Sequence, residues 1–116
     1  MKQRRTVFFV SDQTGVTAET MGHSLLTQFD GMDFRPVTLP FISTVDKARE
    51  AAAKIDQAGR DEGERPIVFA TLVNSEVRDA LREAHCLFLD FFDAFLGPLE
   101  RELGQTSAHV LGRAHG

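Results

Sequence analysis

The sequence has 116 residues, of which 42% are hydrophobic and 26% charged, the composition of one soluble globular domain rather than of a disordered or collagen-like chain. Its 13 Lys and Arg against 17 Asp and Glu give a net charge of −4, so the basic footprint of a nucleic-acid-binding domain is absent. The single cysteine, Cys86, excludes an intrachain disulfide and fits a reducing, cytoplasmic setting. The apolar run at residues 7–10 is too short for a signal peptide or a membrane span, so no membrane partner is expected.

The first predicted element is a buried strand, the run Val7-Phe-Phe-Val10, which turn-forming residues end at once. From Val16 onward, apolar residues recur every three or four positions, which predicts one apolar helical stripe that Gly31 ends. The stripe consists of Ala18, Met21, Leu25, Leu26 and Phe29. Strand, loop and helix together form the first half of a βαβ unit.

An extended segment at residues 34–41 is the second predicted strand. Its two prolines place it at a sheet edge, because proline lacks the N–H group that a central strand donates. Ser43 begins a relaxed capping box, so a second helix is expected over residues 45–58. The charged residues 59–65 are expected to form a turn.

Two further strands are predicted at the apolar runs 67–69 and 86–89. The helix between them begins after a cap at Asn74 or Ser75. Its expected inner face consists of Val77, Leu81 and Ala84.

Residues 91–103 have helical periodicity, but Gly97 and Pro98 interrupt it. Since an interior proline costs a helix about 3 kcal/mol, a kink or two short helices are expected. Four strands alternating with helices predict an α/β fold, an open, mostly parallel four-stranded sheet with helices on both faces, of Rossmann-like or flavodoxin-like layering. This domain occupies residues 1–103, and residues 104–116 are a tail or the start of a connection to a further domain.

The loop from Ser11 to Thr17 is the main candidate site, because ligands of open parallel sheets bind beyond the carboxyl ends of the strands, where the strand order reverses. A helix beginning near Val16 directs free N–H groups there, and the nearby hydroxyls can hydrogen-bond a phosphate or carboxylate. Asp12 would repel an anion unless it holds a metal or orients a hydroxyl. The alternative, that these residues merely cap helices, is favoured by the residue types alone. The candidate residues are Ser11, Asp12, Thr14, Gly15 and Thr17, joined by Asn74 and Ser75 of a second loop.

No catalytic residue and no metal site are predicted. None of the three lysines follows a glycine, so the lysine-bearing phosphate loop of nucleoside triphosphatases is missing. The four histidines are not spaced as a metal pair, and Cys86 is expected to be an inert core thiol. Phe88, Phe91, Phe92 and Phe95 are too dense for one core face, so the Phe88–Phe95 region is a candidate homodimer or interdomain surface.

The first loop with its flanking strand, Val7-Phe-Phe-Val-Ser-Asp-Gln-Thr-Gly-Val-Thr-Ala-Glu19, resembles the opening of a known family. That family comprises the regulatory proteins of phosphoenolpyruvate synthetase and pyruvate, phosphate dikinase, which are bifunctional kinase–pyrophosphorylases. The likeness continues through Thr38-Leu-Pro-Phe41, Arg65-Pro-Ile-Val-Phe69 and Gly112-Arg-Ala-His-Gly116. It covers essentially the whole chain, but only the N-terminal half of a family member.

The resemblance implies an ADP-dependent serine/threonine kinase that inactivates its target enzyme and a phosphorylase that reverses the modification with inorganic phosphate. Both activities belong to a P-loop in the family's second half, so this domain by itself is expected to be catalytically silent and to need no cofactor. Its expected partners are phosphoenolpyruvate synthetase or pyruvate, phosphate dikinase and the C-terminal domain. The alternative functions are a non-catalytic module that binds a phosphate ligand and a dimerisation module.

Overall fold

Four strands and four helices alternate in a computed structural model that describes residues 3–107. The strands are β1 (Gln3–Ser11), β2 (Met32–Leu39), β3 (Ile67–Thr71) and β4 (Leu87–Asp90). The helices are α1 (Val16–Leu26), α2 (Val45–Glu62), α3 (Ser75–Arg82) and α4 (Phe91–Leu103). Within this described part of the chain, no helix combines the length and apolar character needed to cross a bilayer.

All strand pairs are parallel and follow the order β2-β1-β3-β4, which confirms the predicted α/β fold. The edge position of the proline-containing β2 is also confirmed. From β1 the chain first crosses to β2 on one side and later to β3 on the other. The strand order therefore reverses between β1 and β3, whose carboxyl ends meet where Ser11 is the register partner of Thr71.

Each face of the sheet carries its own apolar core. Helices α2 and α3 cover one face, where their side chains pack with alternate residues of β1 and β3 such as Val10 and Val68. Helices α1 and α4 cover the opposite face. There the ring of Phe69 stacks between those of Phe9 and Phe91, with centroid distances of 5.8 and 5.5 Å.

The apolar stripe predicted for α1 is largely exposed, and the helix ends at Leu26 rather than near Gly31. Met21 and Leu25 are 37% and 50% exposed, whereas the buried residues of α1 are Ala18 and Gly22. A Cβ atom on Gly22 would lie 2.6 Å from the Phe9 ring. The helix therefore approaches the aromatic layer through its smallest residues. Of its larger apolar residues, Leu26 packs against this core, whereas Met21 and Leu25 are exposed.

Helix α2 continues through residues 59–62, so the prediction of a turn over residues 59–65 is wrong for its first half. The helix ends at Gly63, whose φ of 72° stops it in the left-handed region. Before that stop, the Glu62 carboxylate accepts hydrogen bonds from the backbone N–H and the hydroxyl of Thr6, at 3.0 and 2.7 Å. This contact ties the end of α2 to β1. The N-cap is Thr44 rather than the neighbouring Ser43.

Helix α4 runs through Pro98 as a single element, so the expected division into two short helices does not occur. Proline removes the N–H group that would bond to the preceding turn, but both ends of the helix are capped. The Asp90 carboxylate accepts a hydrogen bond from the Asp93 N–H at 3.1 Å, and Gly104 ends the helix with a φ of 65°. Capping and the buried Phe91 ring offset the lost bond.

The four phenylalanines of the Phe88–Phe95 region do not form one surface. Phe88 packs against the α2/α3 core and Phe91 belongs to the α1/α4 core. Phe92 is half-buried, and Phe95 is 56% exposed. The expectation that part of this cluster lies outside the core is confirmed, and Phe95 is the residue concerned.

Candidate functional site

The crevice at the carboxyl ends of β1 and β3 brings the two predicted loops together. One oxygen of the Asp12 carboxylate, in the loop after β1, accepts a hydrogen bond from the Val73 N–H in the loop after β3. The donor–acceptor distance is 3.3 Å. This is the point of strand-order reversal, where doubly wound sheets bind their ligands.

Helix α1 begins at this crevice without a side-chain cap. Its N-cap residue is Gly15, and no side chain within residues 3–107 accepts a capping hydrogen bond from the first turn. The interpretation that polar residues of this loop merely cap the helix is therefore wrong for α1. Its first N–H groups and the positive end of its dipole remain available to a bound anion.

Gly15 is required by its backbone conformation and by its surroundings. Its φ of 93° lies in the left-handed region that side chains other than glycine rarely adopt. A Cβ atom there would lie 2.9 Å from the methyl carbon of Thr38. The residue is buried, so the start of α1 sits directly against β2.

The hydroxyls of the site occupy two levels. Ser11 and Thr71, each 1% exposed, close neighbouring strands and, by strand alternation, face the α1/α4 side. The Ser11 hydroxyl accepts a hydrogen bond from the Gln13 N–H at 3.0 Å, whereas the Thr71 hydroxyl has no partner within the described part of the chain. Thr14 and Thr17 are exposed above them. The predicted residues of this loop are thus brought together, and Thr71 joins them.

Two acidic side chains at the crevice, Asp12 and Glu19, oppose the binding of an anion. Burial raises the pKa of Asp12 above its usual value, and the hydrogen bond from Val73 only partly opposes this effect. The second Asp12 oxygen is buried without a partner among the described residues. The Glu19 carboxylate, in the first turn of α1, accepts a hydrogen bond from the Thr38 hydroxyl at 2.6 Å. Asp12 thus lies on the β3 side of the crevice and Glu19 on the β2 side.

The second predicted loop contributes its backbone rather than its side chains. The Asn74 amide oxygen accepts hydrogen bonds from the Glu76 and Val77 N–H groups, at 2.9 and 3.0 Å, and so caps α3. The alternative that this residue is a helix cap is confirmed. Ser75 is the exposed first residue of α3.

A buried charged pair next to the crevice was missed by sequence reasoning. Asp90 ends β4 with its side chain 2% exposed, and one of its carboxylate oxygens lies 3.7 Å from the Nε atom of Arg78. This distance is too long for a hydrogen bond, and neither atom has another partner in the described chain. Burial raises the pKa of Asp90, an effect that the Asp93 N–H and Arg78 oppose. The sequence pattern that could have indicated this pair is an aspartate at the end of an apolar strand, directly before a helix.

Cys86 has the chemistry expected of an inert thiol. Burial, with a smaller contribution from the nearby Asp56 carboxylate, raises the pKa of Cys86 to about 11. The thiol is therefore protonated at neutral pH and is a poor nucleophile.

A parallel sheet with helices on both faces and a strand-order reversal between β1 and β3 places the domain in the doubly wound α/β class. The chain belongs to the kinase/pyrophosphorylase family, whose model matches residues 7–116. It is 59% identical over 112 residues to a protein of Azoarcus sp. and 47% identical over 112 residues to one of Hahella chejuensis. Both are named, provisionally, as phosphoenolpyruvate synthase regulatory proteins. The matches cover 97% of this chain but only 40 and 41% of those relatives, so the chain spans about 40% of their length.

Proposed function

We propose that this chain forms the N-terminal domain of a cytoplasmic regulator of phosphoenolpyruvate synthetase or pyruvate, phosphate dikinase. Family membership and the names of the relatives support this role. The finer proposal is an ADP-dependent serine/threonine kinase paired with a phosphorylase that uses inorganic phosphate. Its ADP and phosphate would be substrates rather than resident cofactors.

The domain alone is proposed to transfer no phosphoryl group. Phosphoryl transfer depends on positioning and on charge stabilisation by a lysine-bearing loop and metal ions, and none of the lysines here follows a glycine. The test incubates the chain with phosphoenolpyruvate synthase and ADP labelled in its β-phosphate. The full-length Azoarcus relative serves as the positive control. Label on the target enzyme with this chain alone would contradict the proposal.

The contribution proposed for the domain is a site for a phosphate-bearing ligand at the β1/β3 crevice. The observation that carries this proposal is the uncapped start of α1 at the switch point. The Thr71 hydroxyl is buried at the end of β3 without a partner among the described residues, and it would donate a hydrogen bond to a phosphate oxygen that reached it. Burial raises the pKa of Asp12 and so disfavours its charged form, which reduces the repulsion that a bound anion would meet.

Calorimetric titration with phosphate, pyrophosphate and ADP tests this site. Gly15→Ala should weaken binding at least about tenfold, because the added methyl group strains a left-handed residue and displaces the start of α1. Gly31→Ala is the matched control, since Gly31 also has a positive φ, 85°, but its Cβ would meet nothing within 4 Å. Absence of binding by the unsubstituted chain, or equal loss in both variants, would contradict the site.

A further inference from the structure

The two helical layers of this domain expose different kinds of residues to solvent. Every large apolar residue that is exposed on a helix lies on α1 or α4. Charged residues make up half of the 18 residues of α2, whereas α1 carries one in 11, Glu19. The layer formed by α2 and α3 thus has a charged outer surface, whereas the layer formed by α1 and α4 exposes large apolar side chains beside the charged residues of α4.

Helix α4 exposes an apolar stripe. Phe95, Leu99 and Leu103 recur every four residues and are 56%, 51% and 67% exposed. Leu87 and Leu89 of the edge strand β4 are each 38% exposed and face the same side of the sheet, because they are register partners of Ile67 and Phe69. The opposite edge strand, β2, has a proline and exposed charges, which hinder pairing with a further strand. Strand β4 has neither.

A groove of about 1020 Å³ opens on the same face, beside α1. It exists because α1 packs over β1 and β3 and leaves the adjoining face of β2 uncovered. Its apolar lining includes Phe9, Leu26, Phe29 and Phe34, and Phe29 is 62% exposed. An apolar face that includes a groove, two helices and a strand fits a macromolecular surface rather than a small molecule.

We propose that in full-length members of this family the α1/α4 face is covered by the C-terminal region of the polypeptide. The matched relatives contain about 60% of their length outside the region that corresponds to this chain, which is their N-terminal part. The last described helix is α4, which is itself part of this face, so the C-terminal region of the relatives follows this helix in the chain. Covalent attachment at that point gives the following region an effective concentration on the order of millimolar, which favours it over any free partner. The inference rests on family membership and not on the ligand proposed for the crevice.

Hydrogen exchange measured by mass spectrometry tests this cover in the full-length Azoarcus relative and in the present chain. Peptides from α1 and α4 should exchange roughly tenfold more slowly in the full-length protein, because their amides are then shielded by the covering region. Peptides from α2 and α3 should exchange at equal rates in both and serve as the internal control. Equal rates for α1 and α4 would overturn the proposal.

Substitutions on the α1/α4 face distinguish burial of this face from a general increase in the stability of the full-length relative. In the present chain, Leu99→Asp and Leu25→Asp should leave the Tm unchanged, since both side chains are at least half exposed. The same changes at the aligned positions of the relative should lower its Tm and restore fast exchange in α1 and α4. Ala53→Asp, at an exposed position of α2, is the matched control and should lower the Tm of both proteins by the same small amount, through helix propensity, without restoring fast exchange in α1 and α4.

The oligomeric state decides between this occupant and a second copy of the chain, the other alternative predicted for the Phe88–Phe95 region. Light scattering of the present chain should give a monomer mass. A dimer that Leu99→Asp dissociates would overturn the proposal in favour of self-association. Capture of phosphoenolpyruvate synthase by the same face of the full-length relative would overturn it as well.

Discussion

Replacing Gly22 with alanine tests the close approach of α1 to the aromatic layer. An added Cβ would lie 2.6 Å from the Phe9 ring and 2.8 Å from the Phe69 ring, closer than carbon atoms pack. Both rings are nearly fully buried, so neither can move aside freely. Overpacking of this kind costs about 1–3 kcal/mol, whereas glycine to alanine within a helix gains about 1 kcal/mol. The net expectation is a loss of roughly 0–2 kcal/mol of unfolding free energy.

Gly97→Ala is the matched control, because it makes the same change inside α4. Apart from its chain neighbours, its Cβ would meet only the flexible end of Arg101, at 3.5 Å. Because residue 97 precedes Pro98, the added Cβ also meets the proline ring, which offsets part of the helix-propensity gain of about 1 kcal/mol, so this variant should be close to neutral and Gly22→Ala should be the less stable of the two. Urea unfolding followed by far-UV circular dichroism measures the difference, since the chain has no Trp or Tyr for fluorescence. Equal stability of the two variants would refute the packing argument.

Three further predictions concern polar groups at the carboxyl and amino ends of the sheet. Thr71→Val should be neutral or stabilise the fold by up to about 1 kcal/mol while weakening phosphate binding, because its buried hydroxyl has no protein partner among the described residues. Thr6→Val should instead cost about 1–3 kcal/mol in urea unfolding, because Thr6 loses its 2.7 Å hydrogen bond to Glu62, and equal effects in both variants would contradict this assignment. Asp12→Asn should unfold at higher urea than the unsubstituted chain at pH 7. Because the folded-state pKa of Asp12 is raised, ionisation costs stability above the unfolded value of 3.8, so this advantage should vanish below that pH and its persistence at pH 3 would be inconsistent. Asn74→Ala should cost about 1 kcal/mol through loss of the α3 cap, and an unchanged urea midpoint would show that the cap contributes nothing.

Sequence reasoning was most successful where local chemistry decides structure. The helical segment 91–103 was predicted with the correct limits, although not its continuity through Pro98, and Asn74 was one of the two caps predicted for α3. Periodicity failed for α1, because apolar residues lie on more than one of its faces. Nothing in the spacing of Met21 or Leu25 shows that the side lined by Ala18 and Gly22 is the one that packs.

The site was only partly predictable. The loop after β1 was located correctly because strand-to-helix turns have a recognisable composition and parallel strands present them at one edge. Whether its polar residues cap α1 could not be read from the sequence, since the same residue types occur in capped and uncapped turns. Thr71 and the Arg78–Asp90 pair enter the site only through strand register and helix placement.

Alternating strands and helices by themselves determined a parallel α/β sheet with β2 at its edge, because hydrophobic periodicity and proline act within a few residues of chain. Only the tertiary structure decided which face of α1 is buried, that Gly22 admits the Phe9 and Phe69 rings, and that exposed apolar side chains on the helices collect on the α1/α4 side. These features depend on contacts between residues far apart in the chain. Such contacts depend on the fit between packed side chains and on strand register, and neither can be read from a pattern of neighbouring residues.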